Sequence, residues 1–409
     1  MEVPEGWSLP QAVEICERIS VGIVVKPKDY YVPEGEGTRA FRSANVREGY
    51  VEDENWVYIS DEGNQKNKKS ILKADDILVV RTGYPGTACV VPPKYAGSNC
   101  IDVIFARPDQ SKVTSKYLCA FTNSEHGRRQ VLDGQGGLAQ QHFNVGSYKR
   151  LLLPLPPLPE QKKIAKILST WDRAIEVVEG LIENSQAQKK ALMQQLLTAK
   201  KRLPGFDGEW EVSSIKSMGN TSSGGTPSSD NEEYWDGEIL WATPTDITAL
   251  TGKYIKTTKR TITSKGLSSC SARLLPVGSL LICTRATIGY SAIAHKPICT
   301  NQGFKNLTPN SSFAVEYLYY LFQHFKHEFI RYACGSTFLE LSKGDFEKRQ
   351  FLIPKKNEQT AIATILSDAD RETELLTQQL IHLKSEKSAL MQQLLTGKRR
   401  VKIDKEAVK

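Results

Sequence analysis

The sequence predicts an α+β protein: two mixed α/β domains separated by two long helices that pair antiparallel as a coiled coil, a pseudo-two-fold internal repeat. Three observations lead there. A block of sequence returns once, 198 positions further on. Both copies of that block carry the apolar period of a long helix. Ahead of each copy lies a segment of aromatic and β-branched runs broken by glycine and proline, the composition of short strands and turns. A chain of 409 residues also exceeds one ordinary core, and 40% apolar with 24% charged residues is a globular balance.

The repeat is explicit. Glu160-Gln161-x-x-Ile164-Ala165-x-Ile167-Leu168-Ser169 recurs as Glu358-Gln359-x-x-Ile362-Ala363-x-Ile365-Leu366-Ser367. Ala191-Leu192-Met193-Gln194-Gln195-Leu196-Leu197-Thr198 recurs as Ala389-Leu390-Met391-Gln392-Gln393-Leu394-Leu395-Thr396 at the same offset. From Glu160 to Arg202, 21 of 43 positions match the copy without a gap, which implies an internal duplication.

Taken in order, residues 1–157 form the first domain, opened by Glu5-Gly6-Trp7 and holding the run Ile77-Leu78-Val79-Val80-Arg81-Thr82-Gly83-Tyr84-Pro85-Gly86. Residues 158–202 form the first helix, with Pro159 at its first position and apolar residues at steps of three and four: Ile164, Leu168, Trp171, Ile175, Val178, Ile182, Leu192 and Leu196. At about 1.5 Å per residue such a helix is roughly 60 Å long, enough to act as a spacer. Residues 203–356 form the second domain, opened by Gly208-Glu209-Trp210 and holding Leu280-Leu281-Ile282-Cys283-Thr284-Arg285. Phe143-Asn144-Val145-Gly146-Ser147-Tyr148 and Leu341-Ser342-Lys343-Gly344-Asp345-Phe346 close the two domains at the same offset of 198. Residues 357–400 form the second helix, with the stripe Ile362, Leu366, Ala369, Thr373, Leu376, Leu380, Leu383, Leu390 and Leu394. Asn357 suits its N-cap and Gly397 its end, while Lys189 and Lys387 interrupt the two stripes at the same place. Residues 401–409 form a charged C-terminal tail, and the stretch from Lys398 onward is expected to fray.

A formal charge of +8 favours a polyanionic partner. No run approaches about 20 apolar residues and the start lacks the features of a signal peptide, which predicts a cytoplasmic protein with no membrane partner. The eight cysteines stand scattered, with no C-x-x-C pair, and are expected to be buried thiols.

Leu155-Pro156-Pro157-Leu158-Pro159-Glu160-Gln161-Lys162-Lys163-Ile164-Ala165 is similar to the signature that opens the first conserved helix of type I restriction-modification specificity (S) subunits. Gly205-Phe206-Asp207-Gly208-Glu209-Trp210, then Gly224-Gly225-Thr226-Pro227-Ser228 and Tyr234-Trp235, resembles the start of their second target-recognition domain. The first domain departs from that pattern, with Gly37-Thr38-Arg39-Ala40-Phe41-Arg42 instead, as suits two domains that read different half-sites. The resemblance implies a bacterial or archaeal chain in which each domain reads one half of a bipartite double-stranded DNA site. It further implies two methylation (M) subunits that bind S-adenosylmethionine, and restriction (R) subunits with an ATP-driven motor and a Mg-dependent nuclease.

For the chain itself the sequence predicts no catalysis and no cofactor or metal. It has no G-x-x-x-x-G-K-[ST] loop, no Asn/Asp-Pro-Pro-Tyr/Phe motif and no metal-binding carboxylate set. Phosphate anchors call for Lys and Arg, and base readers for Arg, Gln and Asn, whose side chains can pair with base edges. In the first domain these criteria nominate Lys66, Lys68, Lys69, Arg81, Tyr84, Arg128, Gln140, Gln141 and His142. In the second they nominate Lys259, Arg260, Arg285, Asn301, Gln302, Lys305, Ser336, Thr337 and Lys343. Arg81 and Arg285 have a rival role as braces of a turn, His142 as a structural histidine, and Tyr234 and Trp235 as packing residues. On the helices the repeated pairs Asp172/Asp370, Arg173/Arg371 and Glu176/Glu374 suit duplicate docking sites for two identical partners. The alternative from another class is a coiled-coil scaffold without specific DNA readout.

Overall fold

In the computed structural model of the chain, residues 3–133, 143–285, 287–334 and 339–403 are described. They divide into two compact units, Met1–Glu179 with Gln378–Lys409, and Gly180–Thr377. Two long helices, Leu158–Leu196 and Lys356–Leu394, are 39 residues each and start 198 positions apart, so the duplication is one of structure as well as sequence. Each contributes one part to either unit. No helix among the described residues is long and apolar enough to cross a membrane.

The first unit contains β1 (Cys16–Val21), β2 (Tyr31–Val32), β3 (Thr38–Phe41), β4 (Val57–Ile59), β5 (Ile77–Val80), β6 (Ala88–Val90), β7 (Asn99–Cys100) and β8 (Val103–Pro108). They make two sheets, β1-β8-β5-β6 and β2-β4-β3-β7, antiparallel except where β3 meets β7. Strand β5 is an unbroken apolar run because both its faces are covered: Ile77 and Val79 join the core that holds Ile164, Leu168 and Leu394 of the long helices, whereas Leu78 and Val80 pack with Phe41, Tyr95 and Phe105. The helices Ser115–Asn123 and Glu125–Asp133 follow β8.

The second unit contains β9 (Glu211–Ser214), β10 (Gly219–Ser223), β11 (Trp235–Ala242), β12 (Tyr254–Ile255), β13 (Arg260–Ile262), β14 (Leu280–Cys283), β15 (Ser291–Ala294), β16 (Ile298–Thr300), β17 (Phe304–Pro309) and β18 (Gln350–Ile353). The sheet β10-β17-β14-β15-β12 repeats the order β1-β8-β5-β6 with one strand added. Strand β14 divides its residues as β5 does, Leu280 and Ile282 to one core, Leu281 and Cys283 to the other. The parallel pair of β11 and β16 occupies the place of β3 and β7.

Within each unit the parts of the two long helices run antiparallel, as their ion pairs record. In the first, Glu160 meets Arg400 at 2.8 Å, Asp172 meets Lys387 at 2.7 Å and Glu179 meets Lys384 at 2.7 Å. In the second, Arg202 meets Glu358 at 2.6 Å, Ser185 shares a hydrogen bond of 2.9 Å with Thr373, and Lys189 pairs with Asp370. Advance along one helix is matched by retreat along the other. The interrupting lysines of the two stripes are therefore the cationic halves of the seam.

The identical Glu-Gln pair that opens each helix has a specific task. Gln161 accepts from the Thr114 backbone N–H at 2.8 Å and donates to the carbonyls of Lys112 and Pro156. Gln359 accepts from the Ala314 N–H at 2.8 Å and donates to Ser312 and Pro354. Glu160, almost fully buried, takes both the Arg400 guanidinium and the Trp7 indole N–H, the latter at 3.0 Å; Glu358 takes Arg202, whose cation lies over the Trp210 ring. These polar contacts tie each helix start to its own sheet unit.

Three expectations need correction. The second helix begins at Lys356, so Asn357 lies inside its first turn instead of capping it. The stretch from Lys398 to Ile403 does not fray, because Arg400 binds Glu160 and the Glu5 carbonyl while Val401 packs on the first core. Cys334 is exposed and Cys16 and Cys270 are half-buried, whereas the other five thiols are buried.

Candidate nucleic-acid interface

The two central sheets build the same corner. In the first unit, β5 ends just before Arg81, whose backbone carbonyl accepts from the Phe143 N–H at 3.1 Å. In the second, β14 ends just before Thr284, whose carbonyl accepts from the Leu341 N–H at 2.9 Å. Phe143 and Leu341 stand at the repeat offset. The third side of each corner is the short connection between β7 and β8, which holds Asp102, or between β16 and β17, which holds Asn301, Gln302 and Gly303. The frame is shared and the side chains differ.

In the first unit the corner is closed. The Arg81 side chain pairs with Asp102 and its Nε donates to the Phe143 carbonyl at 3.1 Å, leaving 19% of the side chain exposed. Here the bracing role holds. Tyr84, three residues on, is 84% exposed at the tip between β5 and β6, flanked by Gly83 and Gly86 at positive φ. Arg128 donates to Glu48 at 2.6 Å and to the Asn123 carbonyl, so it too holds a partner while staying partly exposed. Lys66 ends the helix Asp61–Lys66 and pairs with Glu62 one turn earlier, and Lys68 and Lys69 are exposed on the next turn. Beneath them lies a buried polar network that spacing alone did not disclose: Ser70 donates to Asn99 at 2.7 Å and Asn99 to Asn64 at 2.8 Å. It anchors a basic loop whose composition would otherwise suggest mobility.

In the second unit the corner is polar, and its described residues carry different side chains. Arg285 Nε lies 3.9 Å from Glu340, and Lys305 Nζ lies 3.7 Å from the other oxygen of the same carboxylate. Lys305 is only 8% exposed in its side chain, and burial lowers its pKa while Glu340 opposes the fall. As a phosphate anchor Lys305 is corrected: a buried ammonium facing a carboxylate cannot reach a DNA backbone. Gln302 is exposed and bonded to Thr226, and Asn301 accepts from the Gly303 N–H at 2.9 Å. Lys343 is half-exposed beside Glu347. On the neighbouring sheet, the Arg260 guanidinium stacks 3.5 Å from the Trp235 ring centre, and the Lys259 N–H donates to Asp246 at 2.9 Å. Trp235 is buried against Trp241 and donates to the Ser228 carbonyl, so its role is packing.

Gln140, Gln141, His142, Ser336 and Thr337 lie outside the described residues. Among the described residues no group of His, Cys, Asp and Glu could hold a metal ion.

The nominated helix residues separate into two kinds. Asp172 and Asp370 face Lys387 and Lys189 across the seam, and Asp370 also accepts from the Tyr320 hydroxyl at 2.6 Å, so their identity in the two copies is accounted for inside the chain. Arg173, Glu176, Arg371 and Glu374 are exposed. Sequence reasoning missed Glu340, Asp102 and Glu48, because carboxylates carry no signal for a DNA surface until their cationic partners are seen.

The family profile described as the type I restriction modification DNA specificity domain matches residues 34–184 and 207–385. The type I restriction enzyme MjaIX specificity subunit of Methanocaldococcus jannaschii is 42% identical over 164 residues, which cover 40% of this chain and 38% of that protein. The putative MjaX specificity subunit of the same organism is 24% identical over 98% of this chain and 95% of its own. A structure described as the structural basis of complex assembly and conformational transition of the type I R-M system superposes with a TM-score of 0.65 at 19% identity, over 98% of this chain and 100% of that one. The crystal structure of the HsdS subunit from Thermoanaerobacter tengcongensis gives 0.53 at 19% identity, over 98% and 99% of the two chains. These likenesses carry the fold.

Proposed function

The chain belongs to the family of type I restriction-modification DNA specificity subunits, and from that premise we propose how its two units divide the work. Residues 1–157 and 203–356 are two target-recognition domains, each reading one half of an asymmetric bipartite site in double-stranded DNA. Residues 158–202 and 357–400 form an antiparallel coiled-coil spacer with pseudo-two-fold symmetry that sets the unread gap between the half-sites. The single observation that carries this reading is the shared corner, one frame in both units with different side chains on it, which is what reading two different half-sites requires.

The chain itself is a non-catalytic recognition subunit. Two methylation subunits dock on the repeated faces marked by Arg173 and Glu176 and by Arg371 and Glu374, and supply S-adenosylmethionine chemistry. Restriction subunits add the ATP-driven motor and the Mg-dependent nuclease. DNA-facing groups are Lys66, Lys68, Lys69 and Tyr84 in the first domain, and Lys259, Arg260, Arg285, Gln302 and Lys343 in the second.

Methylation mapping tests the reading. The chain, expressed with its methylation subunits, is expected to place methyl groups at one asymmetric gapped motif. Methylation without a gapped motif, or DNA binding without sequence preference, would leave only a scaffold.

A further inference from the structure

The run Gly224-Gly225-Thr226-Pro227-Ser228, which has no equivalent in the first domain, is clamped by two tryptophans. The Trp241 indole N–H donates to the Gly225 carbonyl and the Trp235 indole N–H to the Ser228 carbonyl, each at 3.0 Å. The two buried rings pack edge to face, with centres 5.0 Å apart. Close approach demands the glycines: Gly224 has no room for a Cβ against the carbonyls of Thr300 and Asn301, nor Gly225 against the backbone at Ala272. The Gly225 N–H donates to the Thr300 carbonyl at 2.9 Å and the Thr226 hydroxyl bonds Gln302, so the loop is fastened to the polar corner.

Arg260 lies on this clamp. Its guanidinium carbon is 3.5 Å from the Trp235 ring centre and 5.9 Å from that of Trp241, while the residue stays exposed. At the shorter distance only a flat stack avoids a clash, since an edge-on guanidinium would drive its nitrogens inside van der Waals contact with the ring. One face is therefore covered by the indole, and the N–H donors lie in a fixed plane. The backbone beneath is held as well: the Thr258 hydroxyl donates to the Arg260 carbonyl at 2.7 Å and accepts from the Trp241 N–H at 3.3 Å, and the Lys259 N–H donates to Asp246. A phosphate offers its oxygens in several directions, so a plane fixed in advance adds little there. It adds most where the acceptors are themselves coplanar and fixed in spacing, as O6 and N7 of guanine are, because side-chain freedom has been removed before docking.

Resting on the proposed DNA-reading role, we propose that Arg260 reads a guanine in the second domain's half-site, with Trp235 as the positioning residue whose ring holds the guanidinium plane. The glycine-rich run thereby gains a task, as a mount that joins this arginine to Gln302 at the corner, and Trp235 acts on specificity without contact to DNA.

The test uses the full chain assembled with its methylation subunits and a duplex pool randomised across both half-sites, sequenced after methylation. Arg260→Ala and Arg260→Lys should each lose guanine preference at one and the same position of one half-site, by about 5- to 150-fold, because lysine lacks the fork. Trp235→Met and Trp235→Leu, which fill the space without a ring, should weaken preference at that position only, with the slope of affinity against salt unchanged. Trp235→Phe keeps a ring face and should retain most of the preference. Thermal melts of each assembly separate these outcomes from loss of fold. Retained guanine preference in Arg260→Ala, or a salt slope lower by about one in that variant, would make Arg260 a phosphate anchor and overturn the inference. Lost preference for a base other than guanine would overturn the guanine assignment. An unchanged base profile in a folded Trp235→Met or Trp235→Leu assembly, or a Trp235→Phe profile as weak as theirs, would overturn the positioning role. Absence of any preference in the unaltered assembly would instead overturn the DNA-reading role beneath it.

Discussion

Ala199 and Gly397 occupy the same place in the two copies, just beyond a long helix, and both take the left-handed backbone, at φ +57° and +74°. Glycine adopts that conformation without strain and alanine does not. Ala199→Gly should therefore stabilise the second unit by about 0.5–1 kcal/mol in urea unfolding, the relief of strain exceeding the entropy that glycine adds to the unfolded chain. The reverse change is worse than its mirror image, because a Cβ at Gly397 would stand 2.4 Å from the Pro4 ring. Gly397→Ala should cost the first unit about 2 kcal/mol, with the loss read as a lowered urea midpoint. The thiols offer a second check at this scale. Burial pushes Cys119 up to about 12, and Cys89 well above its ordinary value, while Cys334 is exposed. A thiolate reagent at pH 8 should label Cys334 first and reach the buried thiols only on unfolding, and Cys334→Ser should remove the fast phase.

At the scale of elements, the helix starts are the points to probe. Glu160 is 3% exposed and holds Arg400 and Trp7, while Glu358, equally buried, holds Arg202. Glu160→Leu would strand the arginine and the indole, and should cost about 2–4 kcal/mol of the first unit's stability by thermal or urea unfolding. The equivalent Glu358→Leu should act on the second unit. Much of this scale was legible beforehand. The 198-residue offset marked both helices, which stop at Leu196 and Leu394 short of the expected 202 and 400, and the apolar runs Ile77–Val80 and Leu280–Cys283 marked two strands. The reach of the chemistry was not legible. Arg81 and Arg285 follow similar runs, yet one pairs with Asp102 and the other faces Glu340, and those carboxylates lie 21 and 55 residues away in sequence. Lys305 read as an anchor because a lysine in a polar stretch is usually solvated, and only the fold shows it buried. Asp172 and Asp370 read as docking residues because repetition looks alike whether its partner is another chain or the other helix.

For the whole molecule, the spacer proposal makes a quantitative demand. Adding one heptad to each long helix, after Glu179 and after Thr377, keeps the seam in register and lengthens a rod by about 10 Å, or roughly three base pairs of B-DNA. The methylated motif should keep both half-sites and widen its gap by that amount; an unaltered gap would show that the helices do not measure it. A different consequence follows from how the chain is apportioned. The second unit is continuous, Gly180–Thr377, whereas the first needs both Met1–Glu179 and Gln378–Lys409. During synthesis the part of the first unit that precedes Gly180 must therefore wait for the part that follows Thr377. Leu390, Met391, Leu394 and Val401 complete a core begun by Trp7 and Ala12, so its interior stays unsealed until those residues have been made. The order of emergence and the order of maturation are opposed: the half made first is finished second.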